Sequence, residues 1–257
     1  MTAWKTEANY CWRLVATALS FLVFGIGGVL LTLSVFPALL CVPNATRAVK
    51  ARWWIHKSFG CFMWLMEHLG VLRFEVTGRE YLQAREGVLI LANHPTLIDV
   101  VALIALTPNA SCVVKQALWK NPFIGGVVRA AAYISNAQPE GVIDACVDDL
   151  QRTNALIVFP EGTRTGVDQP FRFQRGAAYI ILRSACPVLP VLIQCDPLTL
   201  TKGVAWYRIP RKKCTLSVAV LPPMNAKAWV NQADPATLQA RRLTSALEKF
   251  FTEQIEK

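Results

Sequence analysis

His94 and Asp99 stand five positions apart, between the apolar run Val88 to Ala92 and a second one, Leu97 to Leu106. Inside one helix two such residues would point apart, because neighbours on a helix face are three or four positions apart. His94 therefore belongs outside the helix, and Pro95, favoured at a first helical position, marks the boundary. From there the imidazole can curl back so that Asp99 takes a hydrogen bond from one ring nitrogen and leaves the other free to accept a proton. This is a general base with an orienting carboxylate. With seven aspartates and three histidines in the chain, the spacing alone is a modest signal. A second polar cluster strengthens it: Ala155 to Phe159 reads as another buried strand and runs directly into Pro160-Glu161-Gly162-Thr163-Arg164. In a parallel α/β sheet both clusters would emerge at the carboxyl ends of strands, where such sheets hold their ligands.

Asn93-His94-Pro95-Thr96-Leu97-Ile98-Asp99 and Phe159-Pro160-Glu161-Gly162-Thr163-Arg164 resemble the first and third signature blocks of the glycerolipid (lysophospholipid) acyltransferases, the family typified by 1-acylglycerol-3-phosphate acyltransferase. Two weaker blocks lie in the matching order, Lys115 to Arg129 and Cys186 to Val191, so the resemblance covers roughly residues 74–221. It implies direct attack of a lipid hydroxyl on an acyl thioester, with His94 as base and Asp99 as its orienter. The donor would be acyl-CoA or acyl carrier protein, and no metal or prosthetic group is required. The substrate-binding set it implies is Asn93, Lys115, Glu161, Gly162, Thr163 and Arg164. An arginine after a glycine suits bidentate phosphate contact, and Lys115 could add a point charge at the same rim. Glu161 could instead fix Arg164 or the loop backbone, and Asn93 could brace its turn. Pro190 and the apolar run around it resemble the fourth block, associated with acyl-chain or structural contacts, and a buried strand explains the same residues.

The chain departs from the family pattern in the second block. Gly125 and Arg129 match the start of a Gly-x-x-x-Arg-x-x-Gly turn, but Ala132 stands at the last glycine, and Asn136-Ala137 stands where Asp-Arg is expected. A lysophospholipid with a larger head group, or a glycolipid, then becomes a better acceptor than lysophosphatidic acid. A non-catalytic lipid-binding scaffold of the same fold and an acyl-thioester hydrolase are the alternatives.

The elements that must position these residues follow from pattern and composition. The chain has 257 residues, is 53% hydrophobic and only 17% charged, and carries a formal charge of +10. Such a balance points to a lipid surface and an anionic partner. Nothing besides charge favours nucleic acid, and no Gly-x-Ser-x-Gly elbow, P-loop or Gly-x-Gly-x-x-Gly turn is present. The eight cysteines are spread singly, as buried reduced thiols are.

No charged residue lies between Arg13 and Arg47, and Leu14 to Leu40 exceeds the roughly 20 residues that cross a bilayer as a helix. Gly25, Gly27, Gly28 and Pro37 interrupt it, so a re-entrant hairpin in one leaflet fits the same residues. Arg47, Lys50, Arg52 and Lys57 beyond it place the catalytic part on the cytoplasmic side of the inner membrane. Trp53 to Met66 is either an interfacial helix or packing for the main domain. Strands are expected near 74–78, 88–92, 112–115, 132–135, 155–159, 188–193 and 214–221, and helices near 97–106, 118–130, 140–153, 175–185 and 235–256. The expected architecture is α/β: a single domain, residues 73–257, with a largely parallel sheet flanked by helices, after an N-terminal membrane-anchoring or interfacial helical segment, residues 1–72.

Overall fold

The computed structural model describes residues 3–82, 87–122, 124–137, 139–152, 155–166 and 169–256. Helix α1 (Ala3–Leu30) continues through a π-type turn (Leu31–Val35) into the short α2 (Phe36–Leu39), and the chain then reverses into α3 (Asn44–His68). The wide turn has a cause in Pro37, which lacks the N–H that an α-helix would need there, and the Phe36 N–H reaches back to Leu31 O instead. An α/β layer follows: β1 (Leu72–Thr77), β2 (Leu89–Ala92), α4 (Asp99–Leu106), β3 (Ala110–Val114), α5 (Gln116–Trp119), α6 (Gly125–Ala130), β4 (Ile134–Ser135), α7 (Pro139–Gln151), β5 (Ala155–Val158), α8 (Arg175–Ser184), β6 (Val188–Asp196), β7 (Cys214–Val220) and α9 (Ala236–Ile255).

The seven strands form one sheet in the order β1-β7-β6-β2-β5-β3-β4, parallel at every pairing except β6 with β7. Its middle is buried on both faces, so β2 and β5 read as unbroken apolar runs. Side chains alternate between two cores. Ile90, Ala92 and Ile157 pack with Met66 of α3 and Leu103 and Ile104 of α4. Leu89, Leu91 and Leu156 pack with Ile181 of α8 and Leu243, Leu247 and Phe251 of α9. On α9 the inward residue near its end is Phe251, with Phe250 only partly covered.

Two expectations are corrected. The segment 118–130 is two short helices, α5 and α6, because Asn121-Pro122 disfavours helix at Asn121, whose carbonyl and side chain then receive the N–H groups of Gly125 and Ile124. Position 123 within that segment, and position 153 at the end of the expected 140–153 helix, lie outside the described residues. The helix expected near 97–106, with Pro95 at its boundary, starts at Asp99, four residues beyond Pro95, because Asp99 folds back onto Thr96 and holds residues 96–98 in a tight turn.

The N-terminal helices lie against the α/β layer. Phe24 of α1 meets Phe59 and Phe62 of α3, with ring centroids 5.6 and 5.0 Å apart. Near its start α1 buries Arg13, whose guanidinium donates to the carbonyls of Pro210, Arg211 and Lys212. In the π-type turn after it, Thr32 lies so close to Gly126 that a Cβ there would be 2.3 Å from Thr32 Cγ2. Glu7–Leu39 is long and apolar enough to cross a membrane, with only 17% of its most apolar window buried. Val15, Leu19, Leu22, Ile26, Leu30 and Leu33 form an exposed apolar stripe along it. On α3, Ile55, Phe62, Met63 and Met66 are core, while Trp53, Trp54 and Trp64 face outward. One face of the 53–66 segment therefore packs on the main domain, as one of the two expectations had it, and the other face exposes its tryptophans.

Candidate active site

Strands β2 and β5 are neighbours and run parallel, so their carboxyl ends bring Asn93-His94 and Phe159-Pro160-Glu161 side by side. The main chain of His94 is held from both sides by the second segment: its N–H donates to Glu161 Oε1 at 2.9 Å, and its carbonyl accepts the Thr165 N–H at 3.1 Å. Its ring stacks on Phe159, with centroids 4.3 Å apart and planes at 29°. The imidazole donates from Nδ1 to Asp99 Oδ2 at 2.8 Å and keeps 16% of its side-chain surface open. Among the described residues nothing bonds Nε2, which is the nitrogen left to accept a proton.

Asp99 is fully buried as the first residue of α4. Its Oδ2 also accepts the Thr96 N–H at 2.6 Å, and its Oδ1 accepts the Thr96 hydroxyl. Burial raises the Asp99 carboxyl above its ordinary range, against the lowering effects of the His94 hydrogen bond, the His94 charge and Thr96. The helix start and the turn before it thus give this carboxylate three donors and one fixed orientation.

Glu161 is buried as well, and its other oxygen accepts the Thr165 hydroxyl. Burial, then the nearby Asp99 charge, push its carboxyl up to about 7, opposed by the His94 N–H and by Thr165. A native carboxyl that titrates near 7, against about 4.3 in an unfolded chain, holds its proton more tightly when folded. Stability from this group is full below about pH 4 and is lost as pH rises through 7, an effect of up to about 3 kcal/mol. Glu161→Gln is therefore expected to gain stability relative to the parent as pH goes from 5 to 8, measured as the difference in urea midpoints; a constant difference across that range would refute the assignment.

Gly162 has φ +70, closing a turn in which its N–H reaches Phe159 O at 3.0 Å, so a side chain there would be strained. Thr163 is half-buried. Arg164 is half-buried too, and its Nη1 donates to the carbonyls of Leu200 at 3.1 Å and Thr201 at 3.2 Å. Among the described residues no acidic side chain pairs with it, and Nε and Nη2 keep their donors. Lys115 is exposed just past β3, the strand on the far side of β5, hence roughly 10 Å across the sheet from β2.

Asn93 lies elsewhere than a ligand-contacting residue would. It is 3% exposed, its Nδ2 donates to Ile193 O at 2.7 Å, and its Oδ1 accepts the Ile193 N–H at 2.7 Å. It extends the β2–β6 ladder by one side-chain rung and is a brace. Thr96, Phe159, Thr165 and the Leu200-Thr201 carbonyls are site components that sequence reasoning did not pick out. Of these, Thr96 inside the first motif and Phe159 at the head of the second had a signal there.

Residues 73–194 match the family model described as Acyltransferase. The chain is 26% identical over 182 residues to the 1-acyl-sn-glycerol-3-phosphate acyltransferase of Limnanthes alba, covering 68% of this chain and 61% of the relative. It is 28% identical over 174 residues to the enzyme of that name from Pseudomonas aeruginosa, covering 64% of each. The chain therefore spans a little over six-tenths of the length of these curated relatives. The structure superposes on the crystal structure of the 1-acyl-sn-glycerophosphate (LPA) acyltransferase of Thermotoga maritima with a TM-score of 0.66 at 19% identity, covering 93% of this chain and 97% of that one.

Proposed function

We propose that this chain, whose residues 73–194 match the acyltransferase family model, is a member of that family and moves a fatty acyl group from an acyl thioester to the hydroxyl of a lysophospholipid or related lipid. The observation that supports this best is the His94–Asp99 pair, with Nδ1 committed, Nε2 open and the His94 main chain clamped by Glu161 and Thr165. Nε2 takes the hydroxyl proton as the oxygen attacks the thioester carbonyl. The carbon–sulfur bond then breaks, and the departing sulfur takes that proton from the imidazolium, which leaves His94 neutral for the next cycle. The Asp99 carboxylate stabilises the imidazolium in between. Arg164, with Nη1 tied to the 200–201 carbonyls and its remaining donors open, holds the anionic part of the acceptor; Lys115 adds charge from the rim. Thr163 contacts the acceptor beside it, and Gly162 lets it come close. Release of free thiol from acyl-CoA or acyl carrier protein, with and without lysolipid, tests the reading. Acceptor-dependent release supports transfer, acceptor-independent release means hydrolysis, and no release means a scaffold.

The helix pair is the membrane element of this proposal. Because this element touches the α/β layer at two separated places, through Arg13 of α1 at Pro210–Lys212 and through Thr32 of the π-type turn at Gly126, it lies along the domain and presents its apolar stripe lengthwise to one leaflet. Of the charges expected to set orientation, Arg47 bonds the carbonyls of Leu39, Leu40 and Val42, and Arg52 is buried against Ala131 O and Asp149. Lys50 and Lys57 carry the remaining bias toward a cytoplasmic catalytic face.

Position 137 bears on the acceptor. Asn136 is built into the fold, with its N–H on Val114 O and its side chain accepting the Gln116 N–H, and the exposed Ala137 beside it brings no charge. A missing guanidinium contact is worth on the order of 1.5–3 kcal/mol, roughly one to two decades of affinity for a phosphate monoester. Lysophosphatidic acid is thus expected to be a poorer acceptor than lysolipids with larger head groups, with Ala137→Arg recovering part of the difference. A purified protein that prefers lysophosphatidic acid across a lysolipid panel would contradict this.

A further inference from the structure

The chain between β6 and β7, residues 197–213, is a long excursion whose inner part belongs to the site. Thr199, Leu200 and Thr201 are buried; Leu200 O takes the Leu97 N–H at 3.0 Å and shares Arg164 Nη1 with Thr201 O. Leu200 holds φ +54, a left-handed conformation that costs a branched side chain free energy and is kept only where its surroundings insist. The far part of the same loop is tied to α1 through the three carbonyls that Arg13 binds, and Trp206 packs edge-on against Phe21 at 6.0 Å.

Between these ties the loop turns apolar groups outward. Val204, Trp206 and Tyr207 are 40%, 43% and 54% exposed, beside the stripe of α1 that Phe21 borders. Five exposed cations accompany them, Lys202, Arg208, Arg211, Lys212 and Lys213, and residues 197–213 contain no acid. Among the described residues, only Arg211 of these five has a carboxylate partner, Glu7 of α1. Aromatic rings flanked by unpaired cations, continuous with an exposed apolar helix face, match a lipid–water boundary with anionic head groups. An acidic protein would find the cations but leave the rings without a counterpart.

We infer that the β6–β7 loop is a second docking element for an anionic phospholipid surface, and that it sets Arg164 at that surface because one loop carries both contacts. The inference rests on the membrane-surface reading of α1 and is independent of the acyl-transfer chemistry. The full chain is tested by co-sedimentation with vesicles of phosphatidylcholine alone and of phosphatidylcholine mixed with phosphatidylglycerol. Each cation near an anionic surface is worth about fivefold in partition, so Lys212→Gln with Lys213→Gln is expected to lower binding roughly 25-fold on the mixed vesicles and little on the neutral ones. Tyr207→Ala, which removes an exposed ring that stands edge-on to Trp206, should weaken binding to both. Circular dichroism of each variant guards against misfolding. His94→Ala should bind both vesicle types as the parent does, so that a failure of the catalytic reading leaves this result standing. Unchanged partition in both the lysine and the tyrosine variants overturns the inference. So does an unchanged partition with slower transfer from acyl carrier protein but not from acyl-CoA, which would assign the cations to an acidic carrier.

Discussion

A His94→Ala protein is expected to lose about 10³-fold in acceptor-dependent turnover, some 4 kcal/mol of barrier, while remaining folded and bound to lipid. The loss follows from geometry: Nε2 is the open nitrogen of a ring whose other nitrogen is spoken for by Asp99. Folding survives because His94 is held in place by its main chain, which the substitution leaves on Glu161 and Thr165. Asp99 keeps two donors from Thr96 when the imidazole is gone. Removal of a ring stacked on Phe159 costs about 1 kcal/mol, a shift of a few degrees in melting temperature. Steady-state rates on purified protein with acyl-CoA and a lysolipid decide it, and near-parental turnover would end the general-base mechanism.

Asp99→Asn is expected to lose less, about 10²-fold, and the reason lies in Thr96. An amide at this position must place its oxygen where Oδ2 now accepts two N–H groups, one from Thr96 and one from His94. Its NH₂ then points to the Thr96 hydroxyl, which rotates from donor to acceptor. The imidazole keeps its tautomer, and what is lost is the negative charge facing the imidazolium. A protein as inactive as His94→Ala would mean that the amide had turned over and forced the proton onto Nε2, so that Thr96 does not fix the carboxyl group. Comparing the two variants at equal thioester saturation separates the outcomes.

The sequence showed the parts of this site that are local. A spacing of five positions between His94 and Asp99 excludes a shared helix face, so the histidine had to stand outside the helix, and it does. Two buried-strand runs that each end in polar residues had to sit together if the sheet was parallel, and β2 and β5 are neighbours. What escaped was non-local. Asn93 meets Ile193 and Arg164 meets Leu200 through backbone groups, which carry no residue-type signal. The reversal of β7 against β6 could not be read from strands whose patterns fit either direction. The break between α5 and α6 was different, since Asn121-Pro122 is a plain helix terminator within an otherwise apolar run.

The buried Arg13 has a consequence for synthesis. Its guanidinium waits for carbonyls at positions 210–212, and β1, the first strand made, pairs with β7, the last. A ribosome delivers α1 long before either partner exists. During that interval Arg13, on the inward face of α1, has none of the carbonyls it binds in the finished fold, while the apolar stripe on the other face is already as exposed as it will be at the end. On the membrane-surface reading proposed above, the nascent chain is expected to reach lipid before its sheet is complete, and a message truncated ahead of codon 210 to leave a lipid-bound fragment with an unmatched charge and an open sheet edge.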